Sequence, residues 1–136
     1  MTAMVLAGML AMAGCGSVSG PTENDCVGKA AQDASAIEKE VSPLLPELIA
    51  TTMSEHNSCD SGADGSYVIF EADRSTSGYE LLADFRRNGW EVMDAPSDEC
   101  PACVAGVSRS TKGRTIEVTV LDRRDGPGMD VVARYP

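Results

Sequence analysis

The segment Thr115-Ile116-Glu117-Val118-Thr119-Val120-Leu121 limits what this chain can fold into more than any other stretch. Successive side chains of a strand point to opposite faces, so Ile116, Val118 and Val120 face a core while Thr115, Glu117 and Thr119 face water. That alternation belongs to an antiparallel sheet with one wet face, and the other face needs a cover. More strands surround it. Residues 66–72, SYVIFEA, have the β-branched and aromatic density of a buried strand, and Trp90-Glu91-Val92-Met93, 103–109 and 129–135 read as further strands. Lys112-Gly113 and Asp125-Gly126-Pro127-Gly128 supply the late turns.

The cover comes from helices. Ala30, Ala34, Ile37, Val41, Leu44, Leu48, Ile49 and Met53 recur at three- and four-residue steps, which predicts an amphipathic helical stretch over 28–54. Pro43 lacks an amide donor and disfavours the α conformation at Ser42, so a kink or a restart is expected there. A restart would use Ser42 as N-cap and Pro43 as first residue, with the apolar stripe keeping its phase so that both pieces face one sheet. Ser77 and Glu80 form a capping box for a second helix, GYELLADFRRN, and Gly89 stands where a left-handed stop is wanted. Tyr79, Phe85 and Trp90 are spaced as core residues. The predicted fold class is α+β: an N-terminal kinked helix, then β-α-β-β-β-β with an antiparallel meander and helices packed on one face.

The first 14 residues, MTAMVLAGMLAMAG, carry no charge and read as a secretory signal peptide, with an apolar core too short to span a bilayer. Met12-Ala13-Gly14-Cys15 resembles the bacterial lipobox, with Met12 where Leu is usual. The resemblance implies that Cys15 carries a diacylglyceryl group and palmitate-type acylation, and that the mature chain is a lipoprotein at the extracytoplasmic face of the cell membrane. Residues 15–25 then form the lipidated Cys and a Gly/Ser/Pro-rich flexible tether, and 26–136 a single domain. The block from Tyr67 to Tyr135, with its E-L-L-A-D-F-R-R helix and Gly89-Trp90-Glu91-Val92, resembles small secreted and lipid-anchored bacterial proteins, a resemblance that implies fold and location rather than activity.

Cysteine parity agrees with that address. Setting Cys15 aside leaves Cys26, Cys59, Cys100 and Cys103, an even number suited to disulfides in an oxidising compartment. Three connectivities are open. Cys26–Cys59 with Cys100–Cys103 is expected if the helix bends at Pro43, because a straight helix over 28–54 would hold Cys26 and Cys59 about 40 Å apart. Crossed pairings are expected if the helix is straight.

Cys100-Pro101-Ala102-Cys103 is the most suggestive chemical motif, since C-x-x-C lowers a thiol pKa in thiol-disulfide oxidoreductases. Those enzymes open a helix with the pair, whereas Val104 to Arg109 reads as a strand, so a structural disulfide is expected. Asp60 to Glu71, DSGADGSYVIFE, has Asp, Asp, Gly and Glu at positions 1, 5, 6 and 12 of a calcium loop, but Gly62 fails position 3 and the following residues read as strand. An Asp/Gly turn without metal is expected. His56 is the only histidine and is expected to be exposed at a helix end, which leaves no second imidazole for a triad elsewhere.

The chain carries 21 acidic against 11 basic side chains, net −10, which argues against a nucleic-acid partner. The charge is uneven. Residues 1–100 hold 17 acidic and 5 basic groups, while 101–136 hold 4 and 6. Arg109, Lys112, Arg114, Arg123 and Arg124 lie in or beside the two late turns, so they are expected either to form a basic interaction rim or to guard the sheet ends by charge. The sequence therefore predicts a non-catalytic binding or accessory domain, anchored to the membrane by lipid, without cofactor or metal, whose partner is an envelope protein or a small ligand. Thiol-disulfide exchange at Cys100 and Cys103 is the alternative.

Overall fold

A computed structural model of the chain describes residues 22–61 and 65–136. The expected signal peptide 1–14, Cys15 and most of the expected tether lie outside the described residues. Helix α1 spans Glu23–Val41 and α2 Glu47–Ala50, and strands β1 (Ser54–Asn57) and β2 (Ser66–Ala72) follow. Then come α3 (Gly78–Leu81), α4 (Ala83–Arg87), β3 (Glu91–Val92), β4 (Cys103–Thr111), β5 (Arg114–Asp122) and β6 (Met129–Arg134). The six strands make one antiparallel sheet in the order β1-β2-β6-β5-β4-β3. The fold is α+β, with α1, α3 and α4 on one face.

The core lies between that face and the helices. Val68 and Phe70 of β2, Val107 of β4, Ile116, Val118 and Val120 of β5, and Val131 and Ala133 of β6 meet Ala34, Ile37 and Val41 of α1 and Leu81, Leu82 and Phe85 of the later helices. The period-two burial expected for β5 is present in β5, β6 and β2 alike.

Helix α1 starts earlier than its apolar pattern indicated, which shortens the expected tether. The Thr22 hydroxyl accepts from the Asp25 backbone N–H at 3.3 Å, and Asp25 Oδ2 accepts from the Thr22 N–H at 3.0 Å. This capping box satisfies helix donors that would otherwise need water. The Thr22 contacts also hold the Asp25 carboxyl below its ordinary pKa.

The helical stretch predicted over 28–54 is corrected most. It stops at Val41, a 3-10 turn covers Ser42–Leu44, and α2 is a single turn. Ser42 closes α1 instead of capping a restart, and a second proline, Pro46, extends Leu45 to ψ 153° before α2 can begin. The stripe therefore loses phase. Leu45 is buried whereas Leu48 is 85% exposed. After α2 the chain enters β1, which sequence periodicity did not predict because all four of its residues are exposed. Thr52 guides the entry: its Oγ1 accepts from the Glu71 N–H at 2.7 Å and donates to the Ile49 carbonyl.

The reversal brings Cys26 and Cys59 together as a disulfide with Cα atoms 5.9 Å apart, and Cys100 bridges Cys103. In the second helical segment, Ser77 and Glu80 make the expected capping box, and Gly89 adopts φ +81°. Phe85 and Trp90 pack edge to face with centroids 5.1 Å apart. Tyr79 corrects its assignment to the core: it is 62% exposed, with the Arg86 guanidinium 3.8 Å above its ring.

Candidate functional site

Among the described residues, one face of the sheet carries no helix, and its residues fall into rows dictated by strand register. Across all six strands runs His56–Tyr67–Arg134–Glu117–Ser108–Glu91. The adjacent row is Ser54–Ile69–Val132–Thr119–Gly106, and it continues to Met93, whose N–H donates to the Gly106 carbonyl. Arg134 and Glu117 of the first row are paired within the sheet, Arg134 Nη2 lying 3.3 Å from Glu117 Oε2. The second row is mostly apolar and half-buried. Beyond it, Arg123 donates to Asp130 and approaches Glu71 at 3.9 Å.

A groove of about 410 Å³ lies on this face. Its floor includes Gly106, Thr119, Leu121 and Val132, and the segment 93–103 rises beside it. The wall is built by β4. A register shift between Cys103 and Ala105 gives the strand one extra residue, so Val104 packs toward Gly78 while Cys103 turns to the open face opposite Leu121. Cys100 then closes the bridge to Cys103, and the Cys100 N–H donates to Ser97. Gly106 admits the wall residue Met93: a Cβ there would lie 3.3 Å from Met93 Cβ.

The C-x-x-C pair thus sits at the head of a strand. Cys103 is buried at the first residue of β4 and no helix follows it, so no helix N-terminus stabilises a thiolate at Cys100.

The five basic residues singled out from the sequence do not share a rim. Arg109 lies 6.0 Å from the Trp90 ring, Lys112 occupies the β4–β5 turn at φ +50°, and Arg114 opens β5. Arg123 and Arg124 lie at the other end of β5, a strand of nine residues and about 30 Å. Two of the five are also neutralised. Arg114 makes a bidentate pair with Asp33 of α1 at 2.6 and 2.9 Å and stacks on Tyr135 at 3.6 Å, while Arg123 binds Asp130. The guanidinium beside it holds the Asp33 carboxyl below the usual range against the opposing effect of burial. These contacts pin the helix to the sheet.

His56 corrects its expected place at a helix end. It lies on edge strand β1, stacked on Tyr67 with centroids 5.1 Å apart, its Nε2 3.1 Å from Ser54 Oγ. In the calcium-like segment, Glu71 lies five residues along β2 from Ser66, about 17 Å beyond the Asp60 turn, so the first and last ligand positions do not converge. Among the described residues no group of three or more His, Cys, Asp and Glu is arranged to hold a metal ion.

Of the groove's lining, only Cys100 and Cys103 were singled out from the sequence as candidate site residues, and as a disulfide rather than as part of a cleft. Alternation in 115–121 signals a wet face, but nothing in 94–102 signals that this loop folds over it. Comparison with known proteins finds no matching family model, no matching curated protein and no matching solved structure.

Proposed function

We propose that this chain is a lipid-anchored, extracytoplasmic binding module that takes its ligand on the open face of the sheet. The observation that carries the reading is the groove itself: half-buried apolar side chains that no other described residue covers, beside a wall that a disulfide stiffens. The address rests on Cys15 and its lipobox-like context, and two disulfides suit an oxidising compartment. The acyl group at Cys15 attaches the module, since an acidic chain is repelled by anionic headgroups.

The test uses the protein in its native membranes, alkylated without prior reduction. A photoreactive residue is placed at Thr119 on the open face or, as control, at Gln32 on the outer side of α1. The expected result is a diacylglyceryl adduct at Cys15, protected Cys100 and Cys103, and a crosslinked species from position 119 alone. Equal crosslinking from both positions, or none, overturns the binding face. An unmodified Cys15 overturns the anchor, and alkylation at Cys100 and Cys103 replaces the reading with thiol-disulfide exchange.

A further inference from the structure

The groove has a chemical preference written in its charge and shape. Its lining includes three carboxylates, Asp94, Glu99 and Glu117, and one cation, Arg134. Arg134 is already held by Glu117. Asp94 and Glu99 have no ion-pair partner among the described residues, and both stand on the loop side of the groove, exposed to water. Between the two sides the floor is apolar or neutral. Val132, Thr119 and Gly106 occupy one row across β6, β5 and β4, which Met93 extends just past the end of β3, a strip about 14 Å long at the usual strand spacing. The volume falls within the roughly 300–1,000 Å³ of small-molecule clefts, whereas protein partners favour broader and flatter surfaces.

We propose that this groove binds a small amphipathic organic cation: an apolar body lying across the strands from Val132 toward Met93, and a positively charged head beside Asp94 and Glu99. An anion would meet two unneutralised carboxylates, and Arg134 is committed to Glu117. A neutral apolar ligand would gain the floor but leave the acidic wall unused. The inference rests on the open face being the binding surface and adds the chemistry of its ligand.

Amide chemical shifts of the purified full chain, titrated below micelle-forming concentrations with octyltrimethylammonium, octyl sulfate and octanol, test it. The cationic probe is expected to move the Gly106, Thr119 and Val132 amides and to bind about tenfold more tightly than octyl sulfate, because the acidic wall rejects the anion. Its affinity should weaken in salt, since exposed charges are screened over about 8 Å at physiological ionic strength. Asp94→Asn with Glu99→Gln, two exposed substitutions away from the core, should remove most of the preference while the octanol affinity stays unchanged. Octyl sulfate or octanol moving the same amides as tightly as the cation, or a preference that survives the double substitution, overturns the cation and leaves the open face standing. Shifts from all three probes confined to other surfaces, or none at all, overturn both.

Discussion

A Cβ built on Gly78 would lie 2.9 Å from Val104 Cγ2 and 3.1 Å from Val120 Cγ1, so α3 touches the sheet through the absence of a side chain. Gly78→Ala adds a better helix former, worth up to about 1 kcal/mol in an exposed helix. Here the methyl group meets two stiff β-branched side chains, and overpacking costs about 1–3 kcal/mol. Packing decides the sign: urea denaturation should show Gly78→Ala destabilised by about 1 kcal/mol net. Gly89 illustrates a residue legible from sequence, because a left-handed stop after a helix is a local requirement. Tyr79 illustrates the reverse. Its spacing matches Phe85, yet Arg86 caps its ring in solvent while Leu81 and Leu82 fill the core, a choice fixed by how α3 and α4 meet the sheet.

At the scale of elements, α1 is joined to β5 by the Asp33–Arg114 pair as well as by apolar packing. The folded-state pKa of Asp33 is depressed, so its contribution is complete above the unfolded value of about 3.9 and is lost as pH falls through the lower folded value. Asp33→Asn should cost about 1 kcal/mol at neutral pH, a modest figure because the guanidinium is half in water. Denaturation across a pH series should show the gap between wild type and Asp33→Asn constant down to about pH 5 and closing below pH 4. A gap that persists undiminished in acid would show that the contact acts through shape rather than charge. Strand β1 belongs to the same scale. Ser54–Asn57 has no apolar period to announce it, and it forms because Thr52 and the Cys26–Cys59 bridge deliver that segment to the edge of β2.

At the scale of the whole molecule the two disulfides differ in what they constrain. Cys26–Cys59 spans 33 residues and ties the start of α1 to the loop after β1, whereas Cys100–Cys103 spans three. Loop-closure entropy assigns about 3–4 kcal/mol to the first and about 2 kcal/mol to the second. Cys26→Ser with Cys59→Ser should therefore lower the thermal midpoint more than Cys100→Ser with Cys103→Ser. The second pair should act mainly on the groove, seen as loss of the cationic-probe shifts at Gly106 and Thr119 with the core amides unchanged. Equal loss of midpoint in both variants would contradict this division.

The sequence by itself determined the layer architecture, because period two in 115–121 and 66–72 and period near 3.6 in 30–41 are each properties of neighbouring residues. It also determined the capping box at Ser77, the stop at Gly89 and the break at Pro43, since these depend on a few consecutive backbones. Only the tertiary structure decided where the chain goes after the break, which arginines are neutralised, and that 93–103 folds against the open face. Those outcomes depend on contacts between residues far apart in the chain, such as Arg114 with Asp33 and Leu121 opposite Cys103. The sequence of either partner holds no record of the other, so the groove and its acidic wall become visible only when the sheet is assembled.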